Sequence, residues 1–161
     1  MPEAKPKPPL AIRADAVPPR AKQSGYPEPY LSRTKKREKR ALGDAFGLKT
    51  FGVNLTRIAP GGESALMHRH THSDELIYIL EGEPTLVTDA GEMTLGPGMC
   101  AGFPARGLAH QLVNRTGRDV VYLEIGDRHP EDGADYPNED LAVRTAPDGS
   151  RVYFHKDGRK Y

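Results

Sequence analysis

The sequence predicts an all-β domain with the form of a sandwich or barrel. From about residue 50, short stretches rich in β-branched and aromatic residues recur at intervals of about 8–12 residues, the spacing of such folds. Turn residues separate them, as in APGG at 59–62 and GPG at 96–98. None of these stretches has the apolar periodicity of a long amphipathic helix, so helices are not expected to build the core.

Eight stretches are the predicted strands, and the last of them is expected at the edge of a sheet. The dipeptide Ala90-Gly91 separates two of the stretches and predicts a β-hairpin. In chain order the stretches are TFGVNLTRI (50–58), LIYIL (76–80), PTLVTD (84–89), EMTLG (92–96), MCAGF (99–103), HQLVN (110–114), VVYLEIG (120–126) and RVYFHKDGRKY (151–161).

The segments outside these strands have a different character. Residues 1–24 are rich in proline and lack periodicity, which predicts an extended arm that is disordered or lies over another surface. Residues 36–46 are predicted to form one or two helical turns that end at Gly47, and residues 127–140 are predicted to be a loop. The chain is therefore divided into an arm (1–45), a barrel (46–127) and a C-terminal loop and edge strand of the same domain (128–161).

Composition excludes several classes of protein. The net charge is +1, so no overall field points to nucleic acid or to an anionic membrane. The basic run RTKKREKR (33–40) is expected to be a solvated loop or helix start, not a nucleic-acid patch. No run approaches the roughly 20 apolar residues of a membrane helix, and the N-terminus lacks the apolar region of a secretory signal. Cys100 is the only cysteine, so no intrachain disulfide can form and a cytoplasmic location is expected.

The segment MHRHTHSDE (67–75) carries the residues with the most evident chemistry. Side chains alternate between the two faces of a strand, so His68 and His70 are expected to point the same way. If THSD turns the chain, Glu75 returns to the same region, and His110 on a later strand offers a fourth group. Imidazole and carboxylate groups together suit Zn, Fe, Mn, Ni or Cu. Taken alone, the pattern fits either a metal site or a pair of rim histidines.

The spacing of glycines around these residues adds two longer frames. The first has five, one, four and six residues between its members, which are Gly62, His68, His70, Glu75 and Gly82. The second has five, two, two and three residues between its members, which are Gly98, Pro104, Gly107, His110 and Asn114. Gly82 and Gly98 lie where strands turn, and there only glycine adopts a left-handed backbone at little cost.

The two frames resemble the two signature motifs of the cupin superfamily, which consists of small double-stranded β-helix barrels. The resemblance covers about residues 50–127. The first motif matches at every position. The second departs once, because Ala105 and Arg106 stand where the family usually has one residue. The rim loop is therefore expected to differ in shape, whereas the spacing that places His110 is kept.

The resemblance implies an all-β cupin barrel, or jelly roll, with an extended N-terminal arm. It implies one divalent transition metal (Fe, Mn, Zn or Ni) held inside the barrel by His68, His70, Glu75 and His110. Such a site can polarise a carbonyl group, stabilise an enediolate, or bind oxygen if the metal is iron or manganese. The expected function is that of a metalloenzyme acting on a small polar or anionic molecule, as a dioxygenase or a sugar-phosphate isomerase.

Two other classes of function stay open. One is a non-catalytic cupin that binds or senses a small molecule, and the other is a structural interaction protein that works through its proline-rich arm. Small cupins commonly dimerise through a sheet face, so a homodimer is expected, with the arm covering an open sheet edge. Neither nucleic acid nor a membrane is expected as a partner.

Three further residues are candidates for substrate binding. Arg57 and Arg106 can hold a carboxylate or phosphate, and His72 lies in the turn between the expected ligands. Each of the three is also typical of an exposed strand end or turn. Tyr78 and Tyr122 are expected to be packing residues, and no base close in sequence activates Cys100, which is expected to be buried and inert.

Overall fold

The computed structural model describes residues 7–22 and 24–161 and has an all-β fold, as the sequence predicts. Residues 1–6 and residue 23, which belong to the predicted arm, lie outside the described residues. Helical structure within the described ranges consists of a 3₁₀ turn at Ala14–Ala16, α1 (Tyr30–Arg33) and α2 (Leu42–Ala45). The strands in these ranges are β1 (Arg37–Ala41), β2 (Phe51–Ile58), β3 (Arg69–His70), β4 (Glu75–Glu81), β5 (Thr85–Thr88), β6 (Gly91–Thr94), β7 (Cys100–Phe103), β8 (His110–Val113), β9 (Val120–Asp127), β10 (Gly133–Asp135), β11 (Ala142–Thr145) and β12 (Arg151–Phe154).

These strands form three antiparallel sheets. A five-stranded sheet has the order β1-β2-β9-β4-β7, a three-stranded sheet has the order β6-β5-β8, and a four-stranded sheet has the order β12-β11-β10-β3. No helix in the described part of the chain is long and apolar enough to cross a membrane.

Two apolar clusters hold the sheets together. The first lies between the five-stranded and three-stranded sheets and consists of Ile58, Ile77, Ile79, Leu86, Leu95, Phe103, Leu112, Val120 and Tyr122. The second packs against the four-stranded sheet and consists of Tyr30, Leu66, Ala134, Tyr136, Leu141 and Val143, with Tyr26 and Tyr153 at its margin. Burial of these side chains supplies the main driving force for folding.

The eight predicted strands are all present, as β2, as β4 to β9 and as β12. The predicted hairpin is also present, because β5 and β6 pair with Thr88 opposite Gly91. β12 lies at the edge of the four-stranded sheet, as predicted. Apolar alternation was a sufficient signal where a strand buries one face against a core, whereas β6, which is exposed at all four residues, was indicated by the turn at Ala90-Gly91.

The basic segment differs from its prediction. Residues 37–41 form a strand, not a helix or a solvated loop, and within 36–46 the helix is confined to Leu42–Ala45. β1 pairs along its whole length with β2 and turns Arg37 and Lys39 toward the barrel interior. Arg37 is buried, with 7% of its surface exposed. A strand whose inward side chains are cationic has no apolar alternation, so its sequence resembles a solvated segment.

The N-terminal arm lies over the chain's own barrel in the residues that the structure describes. The Arg40 guanidinium donates hydrogen bonds to the carbonyl oxygens of Asp15 (3.0 Å) and Val17 (2.6 Å). The Arg20 backbone N–H donates to the Lys39 carbonyl at 2.9 Å. Tyr26 then packs edge-on against Tyr136 and Tyr153. These contacts anchor the arm on both sides of residue 23.

The C-terminal segment also contains more structure than predicted. β10 lies within residues 127–140, which were expected to be a loop, and β11 follows it. β10 pairs with β3, and Ala134 is opposite His70. β10, which the sequence did not predict, therefore pairs directly with the histidine-rich stretch.

The outer face of the five-stranded sheet is apolar and exposed. Tyr78 is 40% exposed there, whereas Tyr122 points inward and is 1% exposed. Cys100 is exposed, which corrects the expectation that it is buried. The reason is strand alternation: Phe103 and Ala101 of β7 face the core, so Cys100 faces outward, opposite Tyr78.

Two glycines in left-handed conformations end strands or turns, as predicted. Gly82 has φ 78°, and a Cβ atom built there would lie 2.5 Å from the Asp119 carbonyl oxygen. Gly98 has φ 86°, and a Cβ atom there would meet nothing within 4 Å. Backbone conformation requires glycine at both positions, and close approach of another strand requires it additionally at Gly82.

We expect the substitution Gly82→Ala to lower the free energy of unfolding by about 3 kcal/mol and Gly98→Ala by about 1 kcal/mol. Both variants force alanine into a positive φ, but only the first also pushes β4 away from the chain at Asp119. Urea denaturation of the two variants and the wild type measures the difference. Equal losses would contradict a role for the close contact.

Candidate metal centre

The four residues of the expected ligand set meet on the inner side of the barrel. His68 and His110 form an antiparallel bridge, with N···O distances of 3.2 and 2.8 Å between their backbones. His70 ends β3 and Glu75 begins β4, so the turn at 71–74 returns the carboxylate toward the histidines. The local fold follows from strand alternation, which keeps His68 and His70 on one face.

The ligand atoms of three of these residues lie close enough to share one ion, and His110 adjoins them through Glu75. The ligand atoms that His68, His70 and Glu75 offer all lie within 4.8 Å of one another. The Glu75 carboxylate lies between two histidine rings. Its Oε2 atom is 3.2 Å from His70 Nε2, and its Oε1 atom is 3.4 Å from His110 Nε2. Glu75 therefore lies at the centre of the cluster.

Each of the three histidines has its Nδ1 atom tied to an oxygen. His68 Nδ1 donates to the Leu66 carbonyl at 2.8 Å, and His110 Nδ1 donates to the Leu108 carbonyl at 3.3 Å. His70 Nδ1 donates to Asp132 Oδ2 at 2.8 Å. An anchored Nδ1–H fixes the ring orientation and leaves Nε2 as the nitrogen that can bind a metal.

Ring stacking places the centre between the two apolar clusters. The His110 ring stacks on Phe103 of the first cluster, with 3.6 Å between ring centroids. The His68 ring lies 6.0 Å from that of Tyr136, which belongs to the second cluster. The packed cores on either side therefore restrict the motion of the histidine rings.

Burial and hydrogen bonding set the charges of the cluster. Burial lowers the pKa of His68 to about 4, so its imidazole is neutral at pH 7. Burial also opposes the charge of His70, but hydrogen bonds to Asp132 and Glu75 outweigh it and raise the pKa to about 9. Burial disfavours the charge of Glu75, yet hydrogen bonds from His110 and His70 hold its pKa well below the ordinary value. The cluster thus contains a carboxylate that a cation would neutralise.

The residues present fit a divalent transition metal. Three imidazole nitrogens and one carboxylate oxygen form a donor set that suits Fe, Mn, Zn or Ni. The rings are pre-oriented by their Nδ1 hydrogen bonds, and His110 is 4% exposed. A metal bound there would be enclosed on one side by protein and open on the other side to the cavity described below.

Asp132 is a residue of the site that the motifs do not contain. It is 5% exposed, and besides His70 its carboxylate accepts hydrogen bonds from the backbone N–H groups of His72 (3.0 Å) and Ser73 (3.1 Å). Burial opposes its charge, but the hydrogen bonds from His70 and this backbone keep the pKa of Asp132 low. Nothing in DRHPEDGADYPNED (127–140) distinguishes Asp132 from the exposed acids around it, so sequence reasoning missed it.

The candidate metal-binding group lies in the wall of a cavity of about 550 Å³. Lys39 and Glu124 face each other in the same cavity, with Lys39 Nζ at 2.5 and 2.8 Å from the two carboxylate oxygens. The cavity is also lined by four exposed basic side chains, two of them from the N-terminal arm, and these are Arg20, Lys22, Arg128 and Arg151. Two exposed carboxylates, Asp74 and Asp127, line it as well, so exposed basic side chains outnumber exposed acidic ones in its wall.

The three residues expected to bind substrate lie elsewhere. Arg57 points outward and forms an ion pair with Asp119 at 2.6 Å. The Arg106 guanidinium donates to the Thr71 carbonyl at 3.1 Å and lies 3.5 Å from His72 Nε2. None of Arg57, His72 and Arg106 lines the cavity that holds the metal-binding group. A role for these residues in substrate binding stays a prediction.

The departure in the second motif has a structural counterpart. Arg106 has φ 62°, the one positive φ of a non-glycine residue in the described chain. The Gly107 N–H donates to the Pro104 carbonyl at 2.9 Å and closes the turn. The additional residue of this loop is therefore accommodated by a left-handed backbone at Arg106, and His110 keeps its place.

Comparison with known proteins gives relatives for most of the chain. The family model described as Cupin domain matches residues 54–126. The chain is 38% identical to a sugar phosphate isomerase of the cupin superfamily from Silicibacter pomeroyi, with 94% of this chain and 96% of that chain covered and a TM-score of 0.87. It is 33% identical to a candidate sugar phosphate isomerase from Acidithiobacillus ferrooxidans, with 78% and 80% covered and a TM-score of 0.70.

A more distant likeness concerns the fold alone. The polyketide cyclase RemF from Streptomyces resistomycificus is 24% identical over 73% of this chain and 78% of that chain, with a TM-score of 0.61. None of the curated proteins matches the chain. Asp132, Lys39 and the basic residues at the cavity opening all lie outside the range 54–126 that the family model matches.

We expect Asp132→Asn to weaken metal binding by about 10-fold to 100-fold. The asparagine oxygen can still accept from the backbone at His72 and Ser73, but its NH₂ group then faces His70 Nδ1 and disfavours the tautomer that leaves Nε2 free. Competition with a chromophoric chelator measures the affinity. Asp135→Asn, on the adjacent strand and paired with Arg69, is the matched control. An unchanged affinity in Asp132→Asn would show that this carboxylate does not orient the ring.

Proposed function

We propose that this chain, which belongs to the cupin superfamily, is a metal-dependent isomerase of a small sugar phosphate. The observation that carries the proposal is the composition of the cavity. Residues suited to hold one divalent metal lie in its wall, and exposed arginine and lysine side chains lie around its opening. A sugar phosphate needs both features, because its carbonyl end must be polarised while its phosphate end must be bound.

The metal-binding residues would be His68, His70, Glu75 and His110. A divalent metal held there would act as a Lewis acid toward a carbonyl or hydroxyl oxygen of the sugar. The protein supplies the orientation: the Nδ1 hydrogen bonds fix the rings, and the cavity wall excludes water from one side of the substrate.

The basic residues at the opening are suited to bind a phosphoryl group. Arg151 is 45% exposed at its side chain, and its guanidinium lies 3.9 Å from the Asp132 carboxylate. Lys22 is exposed at the same cavity. Because exposed guanidinium and ammonium groups can exchange partners at little cost, these side chains can turn toward a phosphate, and Arg151 then gives up only its long contact with Asp132.

The lining of the cavity and the relatives favour an isomerase over the dioxygenase that the sequence also leaves open. Two solved structures with at least 33% identity to this chain are described as a sugar phosphate isomerase and a candidate for one. The cavity presents hydrogen-bonding groups such as Asn54, Ser64 and Tyr122, which suit a polyhydroxylated molecule. A non-catalytic protein that binds the same molecule is the second candidate, since recognition uses the same groups.

We expect metal-loaded protein to interconvert an aldose phosphate and a ketose phosphate, and to lose this activity on chelation. Protein stripped of metal and reloaded separately with Fe, Mn, Zn or Ni is incubated with phosphorylated sugars, and conversion is followed by NMR. His110→Ala removes one donor and is expected to lose both metal and activity, whereas His155→Ala, outside the cavity, is the control. Saturable binding without conversion would favour the non-catalytic protein, and oxygen uptake would favour the dioxygenase.

We also propose that the chain forms a homodimer through the outer face of its five-stranded sheet. Leu76, Tyr78 and Leu80 project from β4 and are 41%, 40% and 39% exposed. Strand alternation adds Leu123 and Ile125 of the neighbouring β9 to the same face. A flat, contiguous apolar face of this kind is typical of an interface between two copies of a chain.

The substitution Tyr78→Glu is expected to convert the dimer to a monomer, because it introduces a charge at the middle of this face. Light scattering on the variant and the wild type measures the mass in solution. Met93→Glu, at an exposed position on the three-stranded sheet, is the matched control. A wild-type protein that is monomeric, or a Tyr78→Glu variant that stays dimeric, would refute the interface.

A further inference from the structure

The barrel interior contains an ion pair that metal binding does not use. Lys39 Nζ lies 2.5 and 2.8 Å from the two carboxylate oxygens of Glu124, and both side chains are largely buried, with 14% and 18% of their surfaces exposed. Lys39 comes from β1 and Glu124 from β9, which are separated by β2 in the five-stranded sheet. The pair therefore spans the inner face of this sheet.

A network of hydrogen bonds fixes the Glu124 carboxylate. Asn54 Nδ2 donates to Glu124 Oε1 at 3.1 Å, and the Tyr122 hydroxyl donates to Oε2 at 3.4 Å. The Asn54 amide oxygen in turn accepts from the Arg20 guanidinium at 2.9 Å. The carboxylate is thus held by neighbours on three strands, and the N-terminal arm supports one of these neighbours.

Stability does not account for a buried ion pair at this place. Taking two charges out of water costs more than their attraction returns in many proteins, and apolar side chains of similar volume are commonly as good or better. Other inward positions of the same sheet hold apolar side chains, as at Ile77 and Ile79. The location in the wall of the metal-binding cavity gives the pair a functional explanation.

The register of the sheet relates the pair to the metal-binding group. On neighbouring β4 and β9, Glu75 is opposite Gly126, and Ile77 is opposite Glu124. Glu75 and Glu124 are therefore diagonal neighbours on one face, at a separation of about 7–8 Å between backbone positions. Gly126 has no side chain between them. A small molecule bound at a metal that Glu75 and the histidines would hold would therefore lie beside Glu124.

We propose that Glu124 is the catalytic base that moves a proton between two neighbouring carbons of the substrate. The assignment rests on the isomerase function proposed above. An ionised Glu124 oxygen takes the proton from the carbon next to the carbonyl group, and the C–H electron pair forms a C=C bond as the carbonyl oxygen takes up the negative charge. Return of the proton to the former carbonyl carbon, with transfer of a hydroxyl proton between the two oxygens, gives the isomer. The reaction is balanced without an oxidant or reductant.

The surroundings of Glu124 keep its carboxylate ionised. Burial opposes its charge, but Lys39 outweighs burial and holds the pKa of Glu124 below its ordinary value, so the carboxylate is ionised and can accept a proton. Burial lowers the pKa of Lys39 in turn. Lys39 and Asn54 are positioning residues, because they act on the substrate through the carboxylate that they orient.

Deuterium incorporation tests the assignment. Metal-loaded wild type, Glu124→Gln and Glu124→Asp are incubated with aldose and ketose phosphates in D₂O, and NMR follows isomerisation and deuterium at the reacting carbons. Glu124→Gln keeps an acceptor for Lys39 but cannot take a proton, so both rates are expected to fall by about 100-fold or more. Metal content and sugar-phosphate affinity, measured separately, are expected to stay close to those of the wild type. Glu92→Gln, at an exposed position paired with Arg115, is the matched control.

Each outcome decides the assignment. Wild-type rates of isomerisation in Glu124→Gln, with the wild type active, would overturn the role of Glu124 and leave the proposed function standing. An inactive wild type would overturn the proposed function and this assignment with it. If Glu124→Gln does not fold, Glu124→Asp keeps the charge and withdraws the carboxylate by one methylene. The activity of Glu124→Asp is expected to fall while its circular dichroism spectrum is unchanged. Wild-type activity in this variant would refute the role of Glu124 as the base.

Discussion

The hydrogen bond between Asp132 and His70 is the contact on which the organisation of the site depends. It joins a carboxylate of the C-terminal segment to a histidine of the first motif, at 2.8 Å. The same carboxylate accepts from the backbone of the turn that carries the chain from His70 toward Glu75. One buried side chain therefore fixes a ring, a turn and the attachment of the four-stranded sheet, since β10 pairs with β3 directly beside it.

The barrel separates its stabilising core from its polar interior. Apolar clusters lie on both sides of the metal-binding group and supply the burial that holds the sheets together. The charged groups between them are compensated locally: Glu75 by the histidines, and Glu124 by Lys39. Local compensation is required, because an unpaired charge in such a place would cost several kcal/mol, of the order of the net stability of the domain.

Residues from outside the range matched by the family model complete the cavity. The range that the family model matches, residues 54–126, contains the candidate metal-binding group and Glu124. The N-terminal arm adds Arg20 and Lys22, β1 adds Lys39, and the segment after β9 adds Asp132 and Arg151. The shared barrel thus provides the candidate metal ligands, and the flanking segments add charged side chains to the same cavity.

The sequence by itself determined the all-β class and the eight strands, because these features depend on local periodicity, and the fixed spacing within motifs led it to predict the ligand set. It could not assign β1, whose inward lysine and arginine remove the apolar signal, nor could it distinguish Asp132 among the acids of 127–140. It also misplaced Cys100, since strand alternation does not show which face is covered. Only the tertiary structure decided these points, because the partner of a buried charge lies on a strand distant in sequence. For Lys39 and Glu124 that distance is 85 residues.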